Sequence, residues 1–178
     1  MSLRICVAGK ISSGKSTLAK SISSHIGFPI ISFGGILRDY STSNGLPAAR
    51  TDLQRLGQEV INQFGFEGFV EWMINHSSVS WDSSLIIDGL RHKDIYGHIL
   101  RMFPQTFLVY CDCDLETQIS RMLKRDGIGE NEAKQILSHE TEMHIEDLRS
   151  IAQLVLQPDD RVEYFIKQLD DCISQMRI

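Results

Sequence analysis

An eight-residue segment near the start of the chain, Gly9-Lys10-Ile11-Ser12-Ser13-Gly14-Lys15-Ser16, limits what the chain can fold into more than any other feature. It has the spacing Gly-x-x-x-x-Gly-Lys-Ser. A short apolar run at residues 3–8 precedes it, and apolar residues at helical spacing follow it as far as Gly27. A glycine-rich loop between a strand and a helix directs backbone N–H groups and the helix N-terminus at a polyphosphate. The segment therefore predicts a phosphate-binding loop, or P-loop.

The residue types of this loop predict a nucleoside triphosphate together with its cation. Lys15 is long enough to reach the β- and γ-phosphates, and the Ser16 hydroxyl is placed to bind the Mg²⁺ that neutralises them. The chain has no Asn-Lys-x-Asp motif for reading guanine, which disfavours GTP. We therefore expect ATP as the nucleotide, with Mg²⁺ as its cation. The residues expected to contact the nucleotide are Gly9, Lys10, Ile11, Ser12, Ser13, Gly14, Lys15, Ser16 and Thr17.

Asp88 is the second residue that we expect at the cation site. It closes the apolar run Leu85-Ile86-Ile87, which reads as a buried strand. A residue in that position lies at the carboxyl edge of the sheet, where ligands bind in open α/β folds. The alternative is that Asp88 only caps a helix beginning at Gly89-Leu90-Arg91.

Short apolar runs and helical patterns alternate along the whole chain. This alternation predicts a parallel sheet with helices on both faces. We therefore expect one α/β domain over residues 1–178 with the three-layer fold of P-loop NTPases, a five-stranded parallel sheet and a small helical lid. The predicted strands cover residues 3–8, 28–33, 84–88, 106–110 and 152–156.

The composition limits the classes of partner that we expect the chain to bind. Its formal net charge of −5 gives no general attraction to nucleic acid or to anionic membranes, because such binding requires many Lys and Arg residues. No apolar run approaches the roughly 20 residues that span a bilayer, and no signal-peptide pattern is present. We expect a cytoplasmic protein with reduced cysteines and a small-molecule partner. The sequence does not determine the oligomeric state.

Three arginine-bearing segments resemble the nucleotide-kinase branch of the P-loop proteins, the adenylate kinase and dephospho-coenzyme A kinase group. The resemblance covers nearly the whole chain. The segments are Ile31-Ser32-Phe33-Gly34-Gly35-Ile36-Leu37-Arg38, Ile87-Asp88-Gly89-Leu90-Arg91 and Arg121-Met122-Leu123-Lys124-Arg125-Asp126-Gly127.

This resemblance implies roles for four arginines. Arg38 and Arg91 would bind the phosphate of the acceptor. Arg121 and Arg125, which a spacing of four places on one face of a helix, would reach the transferring phosphoryl group. It also implies an acceptor-binding helical segment at about residues 34–80, a lid at about residues 121–148, and contact between the loop Gln157-Pro158 and the nucleotide base.

The predicted reaction is transfer of the ATP γ-phosphate to a small phosphorylated acceptor, most simply a nucleoside monophosphate. The predicted catalytic residues are Lys15, Asp88, Arg121 and Arg125. One alternative is phosphorylation of a hydroxyl, as in dephospho-coenzyme A kinases, with Asp39 or Asp88 as base. The acid that those enzymes carry after the second strand is missing here, which favours the nucleotide. Another alternative is a nucleotide-dependent switch or slow NTPase without a small-molecule acceptor.

Overall fold

A five-stranded, fully parallel sheet forms the centre of the protein. The computed structural model describes residues 2–138, 145–157, 166–171 and 174. The strand order is β2-β3-β1-β4-β5, so the strand that leads into the P-loop is the central one. The strands are β1 Arg4–Ala8, β2 Ile30–Ser32, β3 Leu85–Leu90, β4 Thr106–Cys111 and β5 Leu154–Leu156. The predicted fold class is confirmed.

Helices cover both faces of the sheet because side chains alternate along each strand. In β1, Ile5 and Val7 face α1, whereas Cys6 and Ala8 face α2, α3 and α4. Residues 166–171 are also helical, and Leu169 packs on the α1 side. The helices are α1 Lys15–Ile26, α2 Phe33–Ser43, α3 Arg50–Asn75, α4 Lys93–Met102, α5 Leu115–Asp126, α6 Glu130–Leu137 and α7 Glu146–Ile151.

The start of α2 corrects one predicted boundary. The predicted strand at residues 28–33 ran through Phe33, but β2 ends at Ser32 and α2 begins at Phe33. The Ser32 hydroxyl accepts a hydrogen bond from the backbone N–H of Gly35 at 3.2 Å. This side-chain cap satisfies one of the free backbone N–H groups at the start of the helix. The apolar pattern of the sequence does not reveal such a helix start.

A sharp kink divides α3. Gly65 has φ 70° and ψ −177°, a backbone conformation that is essentially restricted to glycine. The kink separates two helical stretches of α3, and Phe69 in the second of them is buried in the core.

Two predicted segments are only partly described. The segment at about residues 121–148, which we predict to be a lid, contains most of α5, all of α6 and the start of α7. Residues 139–144 lie outside the described residues, as does Pro158. In the ranges that are described, no helix combines the length and the apolar character needed to cross a membrane.

Candidate active site

The P-loop joins the carboxyl end of β1 to the first turn of α1. Gly9 has φ 149°, and a Cβ at this position would lie 2.6 Å from the carbonyl oxygen of Cys111 and 2.7 Å from the Ser13 hydroxyl. Only glycine lets the loop pass this close to the end of β4. The loop closes on itself through a hydrogen bond from the Ser13 N–H to the Lys10 carbonyl at 3.2 Å.

Ser16 and Asp88 meet at the carboxyl edge of the sheet, as the sequence predicted. Asp88 is paired in register with Val7 of β1 and with Ser32 of β2, so three strands converge on it. The Ser16 hydroxyl donates a hydrogen bond to Asp88 Oδ2 at 2.7 Å. The alternative role for Asp88, as the cap of a helix at Gly89, is wrong because β3 continues through Leu90.

The donors at this edge fit a magnesium ion. Asp88 is only 8% exposed, and its Oδ1 is a buried acceptor for which the described residues supply no hydrogen bond. No group of three or more His, Cys, Asp or Glu side chains in the described ranges could form an all-protein metal cage. Mg²⁺ characteristically binds through one or two protein oxygens together with substrate phosphates, so one carboxylate beside one hydroxyl suffices.

A cleft of about 620 Å³ opens over the P-loop. Its walls come from the loop, the first turns of α1, the end of β4 and the cationic face of α5. Gln157, which we expect to contact the nucleotide base, lies in this lining. The lining residues are Ser12, Ser13, Gly14, Lys15, Ser16, Thr17, Leu18, Ser21, Cys111, Arg121, Lys124, Arg125, Leu156 and Gln157.

Three cations of the cleft have defined contacts. Lys15 Nζ donates to the carbonyl oxygen of Lys10 at 2.9 Å. Arg121 Nη1 donates to the carbonyl oxygen of Ser12 at 3.2 Å, so this arginine lies against the loop. Arg125 forms a two-pronged pair with Asp126 at 2.7 Å, and these hydrogen bonds raise the pKa of its guanidinium. Within the described part of the chain, the lining of the cleft contains these three cations and Lys124 but no Asp or Glu, so the cleft is strongly cationic in a chain that is acidic overall.

Two cysteines at the end of β4 contact the P-loop and α5. Burial raises the pKa of the Cys111 thiol, which stays protonated and donates to the carbonyl oxygen of Ser13 at 3.1 Å. Cys113 Sγ accepts from Arg121 Nη1 at 3.8 Å. The contacts of the two sulfurs with the P-loop and α5 depend on tertiary packing, which the local sequence does not reveal.

A second pocket, of about 240 Å³, opens at the end of β3. Arg38 and Arg91, the two arginines expected to bind the acceptor, both line it, and Gly89 brings it next to Asp88. The remaining lining is mostly apolar. It consists of Phe33, Gly34, Leu37, Leu53, Gln54, Gly57, Gln58, Ile61, Phe69, His92 and Ile95.

Two loop residues that we expected at the nucleotide turn their side chains elsewhere. The Lys10 ammonium pairs with the Glu146 carboxylate at the start of α7. Ile11 is 2% exposed and packs against Met122 and Ala133. Any contact that these two residues make with a phosphate must therefore come from the backbone. Asp39, a possible base, is not part of the lining of either pocket.

Comparison with known proteins gives the family. The profile of the AAA_18 family, described as an AAA domain, matches residues 5–138, which include the P-loop, Asp88 and all four arginines. The chain belongs to the AAA_18 family. It is similar to a UPF0200 protein of Thermoplasma volcanium, with 21% identity over 92% of each chain. It is also similar to a dephospho-CoA kinase of Prochlorococcus marinus, with 25% identity over 88% of each chain.

Solved structures share the fold of this AAA_18 chain. TT1252 from Thermus thermophilus superposes with a TM-score of 0.66 at 18% identity, covering 98% of this chain and 97% of its own. The shikimate kinase from Bacteroides thetaiotaomicron gives 0.59 at 18% identity, covering 97% and 98%. At such identities these likenesses establish the fold alone. One of the solved proteins with this fold, the shikimate kinase, is a small-molecule kinase.

Proposed function

We propose that this AAA_18 protein transfers the γ-phosphoryl group of ATP to a small phosphorylated acceptor, with a nucleoside monophosphate as the leading candidate. The observation that carries the proposal is that Asp88 links the two pockets through residues that it contacts or adjoins. Its carboxylate bonds to Ser16 in the P-loop cleft, and the next residue, Gly89, lines the arginine pocket. A donor in one pocket and an acceptor in the other would meet at this residue.

The residues of the cleft have clear tasks in such a transfer. The charge of the transition state is spread over the peripheral phosphoryl oxygens, so positioning and cationic stabilisation supply most of the catalysis. Lys15 would hold the β- and γ-phosphates, while Arg121 and Arg125 would stabilise the moving group from α5. Ser16 and Asp88 would hold Mg²⁺, which when bound neutralises phosphate charge.

The arginine pocket favours an acceptor that is already phosphorylated. Arg38 from α2 and Arg91 after β3 line it together, and no Asp or Glu side chain is part of the lining. Two guanidinium groups can bind a phosphate through several charge-assisted hydrogen bonds. The apolar remainder, including Phe33 and Phe69, suits the less polar body of a nucleotide.

A hydroxyl acceptor of the dephospho-coenzyme A type is the second candidate, because a relative of that name aligns over most of the chain. Such an acceptor needs a base, and Asp88 is the candidate because the residue that follows it, Gly89, lines the pocket that would hold the acceptor. A phosphate acceptor needs no strong base. Asp88→Asn would then abolish transfer to a hydroxyl but leave residual transfer to a phosphate.

Truncating Arg38 tests the proposed acceptor site. With ATP and a panel of nucleoside monophosphates and dephospho-coenzyme A, we expect Arg38→Ala to raise the KM of the acceptor by roughly 10- to 100-fold, because it removes charge-assisted hydrogen bonds. The KM of ATP should change little. Arg55→Ala is the matched control, since Arg55 lies on the exposed side of α3 with Asp52 and Glu59. Equal effects of the two variants on the KM of the acceptor would refute the proposed acceptor site. Tight binding of ATP without transfer to any acceptor would favour a nucleotide-dependent switch.

A further inference from the structure

The side chain of Ile11 leaves the nucleotide cleft and enters the base of the lid. It is 2% exposed and forms a small apolar cluster with Met122 of α5 and Ala133 of α6, both fully buried. The partly buried residues that complete this cluster all come from α5, α6 and the loop between them. They are Ile119, Ile128, Ile136 and Leu137. The tip of the P-loop is thus the apolar anchor of both lid helices.

This anchor lies next to the cationic face of α5. Met122 follows Arg121 directly, and Arg125 stands one helical turn further along. Arg121 in turn donates to the carbonyl oxygen of Ser12, the neighbour of Ile11 in the loop. Because Met122 and Arg121 project at a fixed angle from one helix, packing Met122 on Ile11 sets the direction of the arginine.

A polar contact joins the same loop to the far side of the lid. Lys10, beside Ile11, pairs with Glu146 of α7, but both side chains are substantially exposed, at 33% and 49%. Exposed ion pairs contribute little because water screens them. The buried Ile11 contact is therefore the stronger of the two attachments.

We propose that Ile11 is a positioning residue that holds α5 so that Arg121 and Arg125 face the P-loop. This inference rests on the proposed function for its catalytic consequence, but its structural part does not. The loop that binds the phosphates and the helix that carries the arginines are then fixed to each other by one apolar side chain. Removing that side chain releases the arginines without altering the phosphate-binding backbone.

Amide hydrogen exchange tests the structural part without any acceptor. In Ile11→Ala we expect residues 119–137 to exchange at least about tenfold faster than in the wild type, because their apolar anchor is lost. The P-loop strand β1 should keep its protection. Ile99→Ala, a fully buried truncation in the cluster under α4, is the matched control and should leave residues 119–137 unchanged. If Ile11→Ala does not accelerate exchange in the lid base, the inference fails whatever the acceptor proves to be.

A double-mutant cycle with Arg121→Ala tests the catalytic part. Measured as ADP release at saturating ATP with an active acceptor, Ile11→Ala should lower kcat by about 10- to 100-fold and change the KM of ATP little. In the Arg121→Ala background the same change should cost less than about threefold, because the residue that it positions is gone. An undiminished loss in that background would overturn the proposal.

Ile11→Val and its control Ile99→Val are milder versions of the two alanine variants. Ile11→Val should keep most of the wild-type kcat. If no acceptor stimulates the wild type, the proposed function fails while the exchange result stands.

Discussion

Asp88 carries more of the proposed chemistry than any other single residue. Its Oδ2 accepts from Ser16, which is 72 positions away in the sequence, and its Oδ1 is buried without a hydrogen bond from the described residues. A buried acceptor left unsatisfied costs free energy unless a ligand engages it. Mg²⁺ bound beside Ser16 would remove that cost.

Replacing Asp88 by Asn should therefore weaken the binding of Mg²⁺ at this site. The amide keeps the shape of the side chain but loses its charge, so we expect half-maximal ADP formation to need about 10- to 100-fold more Mg²⁺. Titration of Mg²⁺ at fixed ATP measures this directly. Asp39→Asn is the control, because Asp39 is exposed on α2 and should show the wild-type curve. Identical magnesium curves for the Asp88 variant and the wild type would count against the assigned cation site.

Individual residues also show where sequence reasoning reached its limit. The meeting of Ser16 with Asp88 was predictable because parallel strands end at the same edge. The anchoring of Ile11 in the lid and the bond from Cys111 to the loop were not, because both depend on how distant elements pack. An isoleucine inside a P-loop pattern gives no sign of whether its side chain faces phosphate or protein.

At the scale of elements, α5 depends on its N-terminal cap. Asp114 Oδ1 accepts a hydrogen bond from the backbone N–H of Thr117 at 2.7 Å, and this bond holds the pKa of the Asp114 carboxyl below its ordinary value. A carboxylate also interacts favourably with the positive end of the helix. The cap therefore stabilises the helix that carries Arg121 and Arg125.

The depressed pKa fixes the sign of a pH dependence. Stabilisation by Asp114 is fully present above its unfolded pKa of about 3.9 and is lost as pH falls through the lower folded value. Asp114→Ala should therefore unfold at lower denaturant concentration than the wild type at pH 7, and the two should converge in acid. Asp114→Asn, which keeps an acceptor oxygen, should retain part of the stability without this pH dependence. A gap between the alanine variant and the wild type that persists unchanged at low pH would contradict the assignment.

The kink in α3 gives a second prediction at this scale. A Cβ at Gly65 would meet no atom within 4 Å, so any cost of Gly65→Ala comes from its backbone angles. We expect the free energy of unfolding to fall by about 1–3 kcal/mol. Gly97→Ala is the opposite control, because Gly97 lies inside α4 and alanine there should stabilise by about 0.5–1 kcal/mol. Equal stabilities for the two variants in denaturant titrations would show that Gly65 does not hold the kink.

The elements were predictable in kind but not in their exact bounds. All five strands were expected, because buried β-branched runs between helical patterns identify them. The boundary between β2 and α2 was missed because it depends on a hydrogen bond from Gly35 to Ser32, and β5 is shorter than expected, at Leu154–Leu156. Local capping, unlike apolar periodicity, leaves only a weak trace in the sequence.

For the molecule as a whole, the strand order brings the three arginine-bearing segments to one edge of the sheet. The P-loop cleft, which α5 lines, and the arginine pocket, which α2 and α3 line, each include a residue there that contacts or adjoins Asp88. The sequence predicted a parallel sheet and these segments, but not the order of the strands. The acceptor is not fixed by this order, because the lining of the second pocket mixes two cations, two amides and an apolar surface that suit more than one phosphorylated molecule.

Following the γ-phosphoryl group itself is the most direct test of this account. ATP labelled in its γ-phosphate would be incubated with the protein, Mg²⁺ and a panel of nucleoside monophosphates and dephospho-coenzyme A, with Lys15→Ala as the inactive control. With the wild type, we expect the label to appear in at least one acceptor. With Lys15→Ala, we expect the transfer to fall at least about 100-fold. Label found only in inorganic phosphate, or left in ATP with every acceptor, would contradict this account.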